Sequence, residues 1–112
     1  MKKLLLILTI LLFANSIFAL LSNPSNIASI STGPHYSFIL NWVNSDPTVT
    51  GFILYRSNDN TNFNQIVNIS DASVTNFVDS GLLGKNHFYY YIIAYNIYGN
   101  SPNSSVVVGI TP

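Results

Sequence analysis

Apolar and polar residues alternate along much of this chain with a period of two. Between Tyr36 and Val43, the residues Phe38, Leu40 and Trp42 fall on one side, and Ser37, Ile39 and Asn41 on the other. That alternation is the signature of a half-buried strand. Phe52 to Arg56 repeats it, with Phe52 and Leu54 on one face and Ile53 and Tyr55 on the other. The longest apolar run outside the N-terminus is Phe88 to Asn96. It contains no Gly or Pro and is bounded by turn-forming residues, which predicts a central strand. Shorter strands are predicted at Ile27–Ile30, Phe63–Asn68 (an edge), Val74–Val78 and Ser105–Ile110. Turns or loops are predicted at Ser31–Pro34, Asn44–Gly51, Ser57–Asn62 and Asn96–Asn103. A further turn starts at Asp79-Ser80-Gly81 and runs to His87. Seven short strands without a helical period predict an all-β domain, an antiparallel sandwich or a small barrel.

The N-terminus follows a different pattern. Lys2 and Lys3 precede the apolar run Leu4–Phe13, broken only by Thr9. A less apolar stretch, residues 14–19, follows, with Ile17 and Ala19 at the −3 and −1 positions of a cleavage site. This reads as a secretory signal peptide over residues 1–19, ahead of a domain over residues 20–112. The competing reading takes Leu4 to Leu21 as one uncleaved membrane anchor. Asn15 and Ser16 weigh against it. Both readings export the rest of the chain, which places it in the secreted fraction or at the cell surface.

Composition then removes several functions. The only charged residues are Lys2, Lys3, Arg56 and Lys85 against Asp46, Asp59, Asp71 and Asp79. Beyond residue 19 two cations face four Asp, a net charge of −2 (2 − 4). With no basic patch, the counterion release that drives nucleic-acid binding is lacking. With no Cys, disulfides and thiolate metal sites are excluded. Two His and four scattered Asp form no metal-ligand spacing, and Asp59 and Asp71 lack the spacing of a calcium loop. His35 and His87 stand at the starts of strands, with no motif pairing either to a nucleophile. Asp79 reads as a turn residue, its carboxylate accepting from backbone N–H groups near Gly81. The expectation is a non-catalytic protein without cofactors.

Several segments, in order, resemble a fibronectin type III domain over essentially all of residues 20–112. Pro24–Ile27 resembles the start of that family's strand A. Leu40-Asn41-Trp42 resembles strand B with its core Trp, and Gly51–Ser57 resembles strand C. Phe77–Leu82 resembles the end of strand E. Tyr90–Asn96 followed by Gly99–Pro102 resembles strand F and the F–G loop. The resemblance implies a seven-stranded antiparallel immunoglobulin-like β-sandwich. It also implies an adhesion, recognition or spacer role. Two positions depart from the family. Phe88 stands where a Tyr hydroxyl usually ties the E–F corner. Tyr98-Gly99-Asn100 stands where some members carry the Arg-Gly-Asp triplet, so integrin binding is not implied.

The resemblance also implies which face of the central strand is buried. Phe88, Tyr90, Ile92 and Ala94 take core positions, and Tyr89, Tyr91, Ile93 and Tyr95 point outward beside Ile53 and Tyr55 of strand C. Val107 is expected to flank them. These six outward residues form a candidate binding patch with almost no charge. Apolar patches of this kind usually mark an interface. The plainer reading is that Tyr and Ile are good strand formers that stabilise a sheet through cross-strand pairs. If the patch binds, it suits a protein partner or a second copy, or else carbohydrate stacked on its rings. Membrane contact is expected only through an uncleaved N-terminal segment. Asn68-Ile69-Ser70 and Asn103-Ser104-Ser105 are N-glycosylation sequons, making Asn68 and Asn103 candidate modification sites.

Overall fold

The computed structural model describes residues 26–32, 35–44 and 46–112. The predicted signal peptide and the first residues of the predicted domain lie outside them. The strands are β1 (Asn26–Thr32), β2 (His35–Asn41), β3 (Gly51–Ser57), β4 (Asn64–Ile69), β5 (Asn76–Leu83), β6 (His87–Asn96), β7 (Gly99–Asn100) and β8 (Val107–Ile110). They form two antiparallel sheets. One has the order β1-β2-β5. The other runs β4-β3-β6-β7, with β8 also paired to β6.

The period-two faces are where the alternation places them. Phe38, Leu40 and Trp42 from the first sheet are buried against Phe52, Leu54, Phe88, Tyr90, Ile92 and Ala94 from the second. The rings meet edge to face. Phe38 lies 6.1 Å from Phe88 and 6.2 Å from Tyr90, and Trp42 lies 5.4 Å from Phe52, centroid to centroid. Each such ring, taken out of water, stabilises the fold by about 1.5–3 kcal/mol, and the edge-on geometry adds to that. Gly109 on β8 makes room for this packing, because a Cβ there would run into the Phe38 ring.

The structure departs from the pattern at two places. The predicted turn at Asp79-Ser80-Gly81 is strand: β5 continues to Leu83, and the turn falls at Gly84–Asn86. The pairing of β2 with β5 shifts register between Tyr36 and Phe38, and Gly81 takes φ 74° on the opposite strand. Gly81 therefore serves an irregularity within the strand rather than a chain reversal. The predicted last strand is also shorter, and β7 lies inside the predicted loop. Between β7 and β8 the strand pairing is carried on by serines. Ser101 Oγ accepts from Ala94 N at 2.8 Å, and Ser104 Oγ accepts from Ile92 N at 2.9 Å. β7 and β8 thus act as one interrupted strand beside β6, which reconciles eight short strands with the seven expected.

The corner where the family uses a Tyr hydroxyl is tied differently. Phe88 is buried in the core with Leu82. Thr111, itself buried, donates its hydroxyl to Leu83 O at 2.8 Å and accepts from Asn86 N at 3.1 Å. The far end of the sandwich, with the Gly84–Asn86 turn, also holds Pro112, whose carbonyl accepts from Lys85 N at 3.0 Å. The opposite end gathers residues 42–44 and 46–50 and the segments 70–75 and 97–98. β1 begins there too, since Asn26 pairs with Asn41.

Candidate functional site

The register of the second sheet brings the six predicted patch residues onto one outer face. Ile53 pairs with Ile93, Tyr55 with Tyr91, and Gly51 with Tyr95. On the other side of β6, Tyr89 pairs with Val108 and His87 with Ile110. Val107 was expected on this face, and the structure corrects that. It pairs with the buried Tyr90 and packs against the core, so Val108 takes its place.

The face is less open than the sequence suggests. Ile53, Tyr55, Tyr89, Tyr91 and Tyr95 are half-buried, and Ile93 is buried at 6% exposure although it points away from the core. Much of the aromatic surface is used internally. Tyr55 and Tyr91 stack at 4.8 Å with 21° between planes, and Phe63 sits against Tyr91, also at 4.8 Å. His87 stacks on Tyr89 at 6.3 Å. Partial burial, then the neighbouring Tyr55, pushes the Tyr91 hydroxyl above its ordinary range. Tyr95 lies over Gly51, where any Cβ would collide with its hydroxyl, and reaches across to donate to Asn68 Oδ1 at 2.7 Å. Asn68 is exposed beside Ile53, so the first sequon lies on the margin of this face. Asn103 is exposed in the segment between β7 and β8.

The more exposed apolar side chains lie at the margin of this face and beyond it. Val108 and Ile110 on β8 extend the aromatic face, at 51% and 58% exposure. Ile97 and Tyr98, at 90% and 79%, occupy the β6–β7 turn.

A second constellation escapes the sequence reading. Asp79 faces inward at 7% exposure. Arg56 Nη1 donates to both of its carboxylate oxygens at 2.9 Å, and the buried Tyr90 hydroxyl donates to Oδ2 at 2.7 Å. Burial, and then Asp79 itself, pushes the Tyr90 hydroxyl well above the tyrosine range. Arg56 also lies 5.9 Å over the Phe88 ring. The signal was a Tyr at a core position of the central strand, since a buried Tyr hydroxyl needs a partner. This group links β5 of one sheet to β3 and β6 of the other, and its geometry is that of a structural tie.

No protein-family model matches the chain, and no curated protein matches it by sequence. Solved structures do. The fn3 domain of the human collagen α-1(XX) chain superposes with a TM-score of 0.61 at 20% identity, over 80% of this chain and 84% of that one. A fibronectin type III domain from a further human protein gives 0.64 at 11% identity, over 86% and 75%. The chain has the fibronectin type III fold. A myokine structure aligns over 81% of this chain and 97% of its own, with a TM-score of 0.62 at 22% identity. A β-1,2-glucanase from Parabacteroides distasonis matches 81% of this chain at 17% identity and a TM-score of 0.61, but over 13% of its own length.

Elsewhere on this fibronectin type III fold the acidic residues have local duties. Asp59 Oδ1 accepts from Thr61 N and Asn62 N at 2.9 and 2.8 Å and from the Ser57 hydroxyl at 2.7 Å. These bonds, led by that of Asn62 N, hold its carboxyl far below the usual range. Asp71 accepts from the Ser73 hydroxyl and backbone, with a shift in the same direction. A shallow pocket of about 200 Å³ opens beside the Asp59 turn, lined mainly by Arg56, Asn58, Asn62, Asn64 and Ile66. Among the described residues, no group of three His or Asp is placed to hold a metal.

Proposed function

We propose that this chain is an exported, non-catalytic recognition or spacer module. Its protein contact is the outer face of the β4-β3-β6-β8 sheet. Domains of this fold are often non-catalytic binding or spacer modules. The observation that carries the choice of face is its lack of charge. The register places Tyr55, Tyr91, Tyr89, Val108 and Ile110 in a continuous band, and no Lys, Arg or Asp points outward from these strands. A desolvated interface centre favours aromatic and apolar groups over charged ones. Export follows from the N-terminal sequence pattern alone.

Carbohydrate binding is the second reading. Its support is the likeness to one part of a β-1,2-glucanase. The ring geometry favours it less, because sugar stacking needs a free flat face and Tyr55 and Tyr91 lie against each other.

Photo-crosslinking in the producing organism tests the protein reading. A photoreactive residue replaces Tyr89 in the full chain, and in a second chain replaces Val78, which is 50% exposed on the other sheet. Position 89 is expected to yield a defined protein adduct, a second copy included, and position 78 none. Equal labelling at both positions, or none at position 89, overturns the reading.

A further inference from the structure

The structure sets the two sequons apart. The sequon at Asn103 follows Pro102 and is committed to the fold, because its central Ser104 is buried with the hydroxyl on Ile92 N. The sequon at Asn68 is open. Asn68 and Ser70 are both exposed, and Asn68 stands on the outer face beside Ile53. The Tyr95 hydroxyl donates to Asn68 Oδ1 at 2.7 Å. That bond uses the amide oxygen and spares Nδ2, the atom to which an N-linked sugar is joined. Tyr95 itself lies over Gly51 and is only half-buried, so part of its ring stays open beside Asn68.

The strand that carries this sequon has a second peculiarity. β4 is the last strand of its sheet and pairs with β3 alone. Edge strands are ordinarily blunted by Lys, Pro or a bulge, which keep another chain from adding to them. Asn64–Ile69 contains no charged residue and no Pro. An irregularity falls at Ile66, where the pairing steps from Leu54–Val67 to Tyr55–Gln65. It disturbs the first half of the edge only. Residues 67–69 continue the ladder without a break, and Asn68 is the middle one.

We propose that Asn68 carries an N-linked oligosaccharide whose first sugar rests on Tyr95 and shields the second half of the β4 edge. The donor is a lipid-diphosphate-linked oligosaccharide of the export route, transferred by an enzyme that reads the Asn-Ile-Ser triplet. Nδ2 forms the bond to C1 of the sugar and the C1–O bond to the diphosphate breaks. The lipid diphosphate leaves, and Nδ2 gives up one of its two protons. The Tyr95–Oδ1 bond survives, because the amide oxygen takes no part. A glycan is bulky and solubilising, which suits an edge that lacks charge. It leaves the Tyr89–Val108 side of the face open to a protein. The inference rests on the export reading above, and its test separates the two.

The full chain is recovered from the producing organism, as wild type and as Asn68→Gln. Fractionation reads export, and tandem mass spectrometry of the peptide containing Asn68 reads the sugar. The exported chain is expected to carry a glycan on Asn68, and Asn68→Gln is expected to lose it. Thermal melts then read the contact. The glycosylated wild type should melt several degrees above Asn68→Gln, and in a Tyr95→Ala background most of that difference should disappear. A chain retained inside the cell overturns the export reading and this proposal with it. An exported chain with Asn68 unmodified overturns this proposal alone. A glycan whose effect on melting is the same with and without the Tyr95 ring overturns its seat on Tyr95.

Discussion

The hydroxyl of Tyr90 donates to Oδ2 of Asp79 at 2.7 Å, across the boundary between the two sheets. Tyr90 is fully buried and Asp79 nearly so. A hydrogen bond to a charged group contributes about 1.5–3 kcal/mol. Tyr90→Phe is expected to lower stability by that amount. Asp79→Ala goes further, because it strands the buried hydroxyl and also frees Arg56. Guanidinium denaturation checks both, and an unchanged midpoint for Tyr90→Phe would refute this account of the tie.

The same hydroxyl sets an alkaline limit. Burial and Asp79 raise its pKa in the folded chain, while an unfolded tyrosine loses its proton near pH ~10. Above that point the folded state binds more protons than the unfolded one, so stability falls as pH rises. The contribution is complete below about pH 10 and is lost progressively above it. Thermal melts across that range should show a decline that Tyr90→Phe reduces. A decline of the same size in the variant assigns it to other groups.

Gly51→Ala is expected to destabilise by about 1–3 kcal/mol, the usual penalty for overpacking. The new Cβ would meet both the Tyr95 ring and the Ile69 carbonyl. Displacing the ring also breaks its bond to Asn68. In a double-mutant cycle with Tyr95→Ala the penalty should shrink without vanishing, since the backbone clash remains. Additive losses would show that the ring does not lie over Gly51 in solution.

Thr111→Val preserves shape and removes the hydroxyl that serves Leu83 O and Asn86 N. A backbone group left unpaired costs about 1–3 kcal/mol when buried, and these part-buried ones belong at the lower end of that range. Thr111→Ser, which keeps the hydroxyl, should lose less. Urea midpoints for the two variants decide the matter, and a valine variant as stable as the serine one would show that the corner is held by other contacts.

The strand faces were readable because alternation is a local property. Phe38, Leu40 and Trp42 need only their own spacing to share a side. Asp79 was not readable, since Asp-Ser-Gly is also the chemistry of a turn. Only the pairing of β5 with β2 makes those residues strand, and only the packing of the two sheets brings Arg56 and Tyr90 to Asp79. The exchange of Val107 for Val108 has a similar origin. Val107 and Val108 are adjacent and point to opposite faces, and only the pairing with β6, which sets Val107 beside the buried Tyr90, decides which of them faces out. Exposure of the patch was illegible for a further reason. Whether Ile93 is open depends on where its neighbours lay their rings, and rotamers are chosen by the whole face.

The Arg56–Asp79–Tyr90 link has one more consequence. Many small exported domains rely on covalent bridges that reductants cleave. This chain has no Cys, and its two sheets are tied by an ion pair and a phenol instead. Thiol reagents find nothing here to break. The fold is thereby equally at home in reducing and oxidising surroundings, and it needs no oxidative maturation after leaving the ribosome.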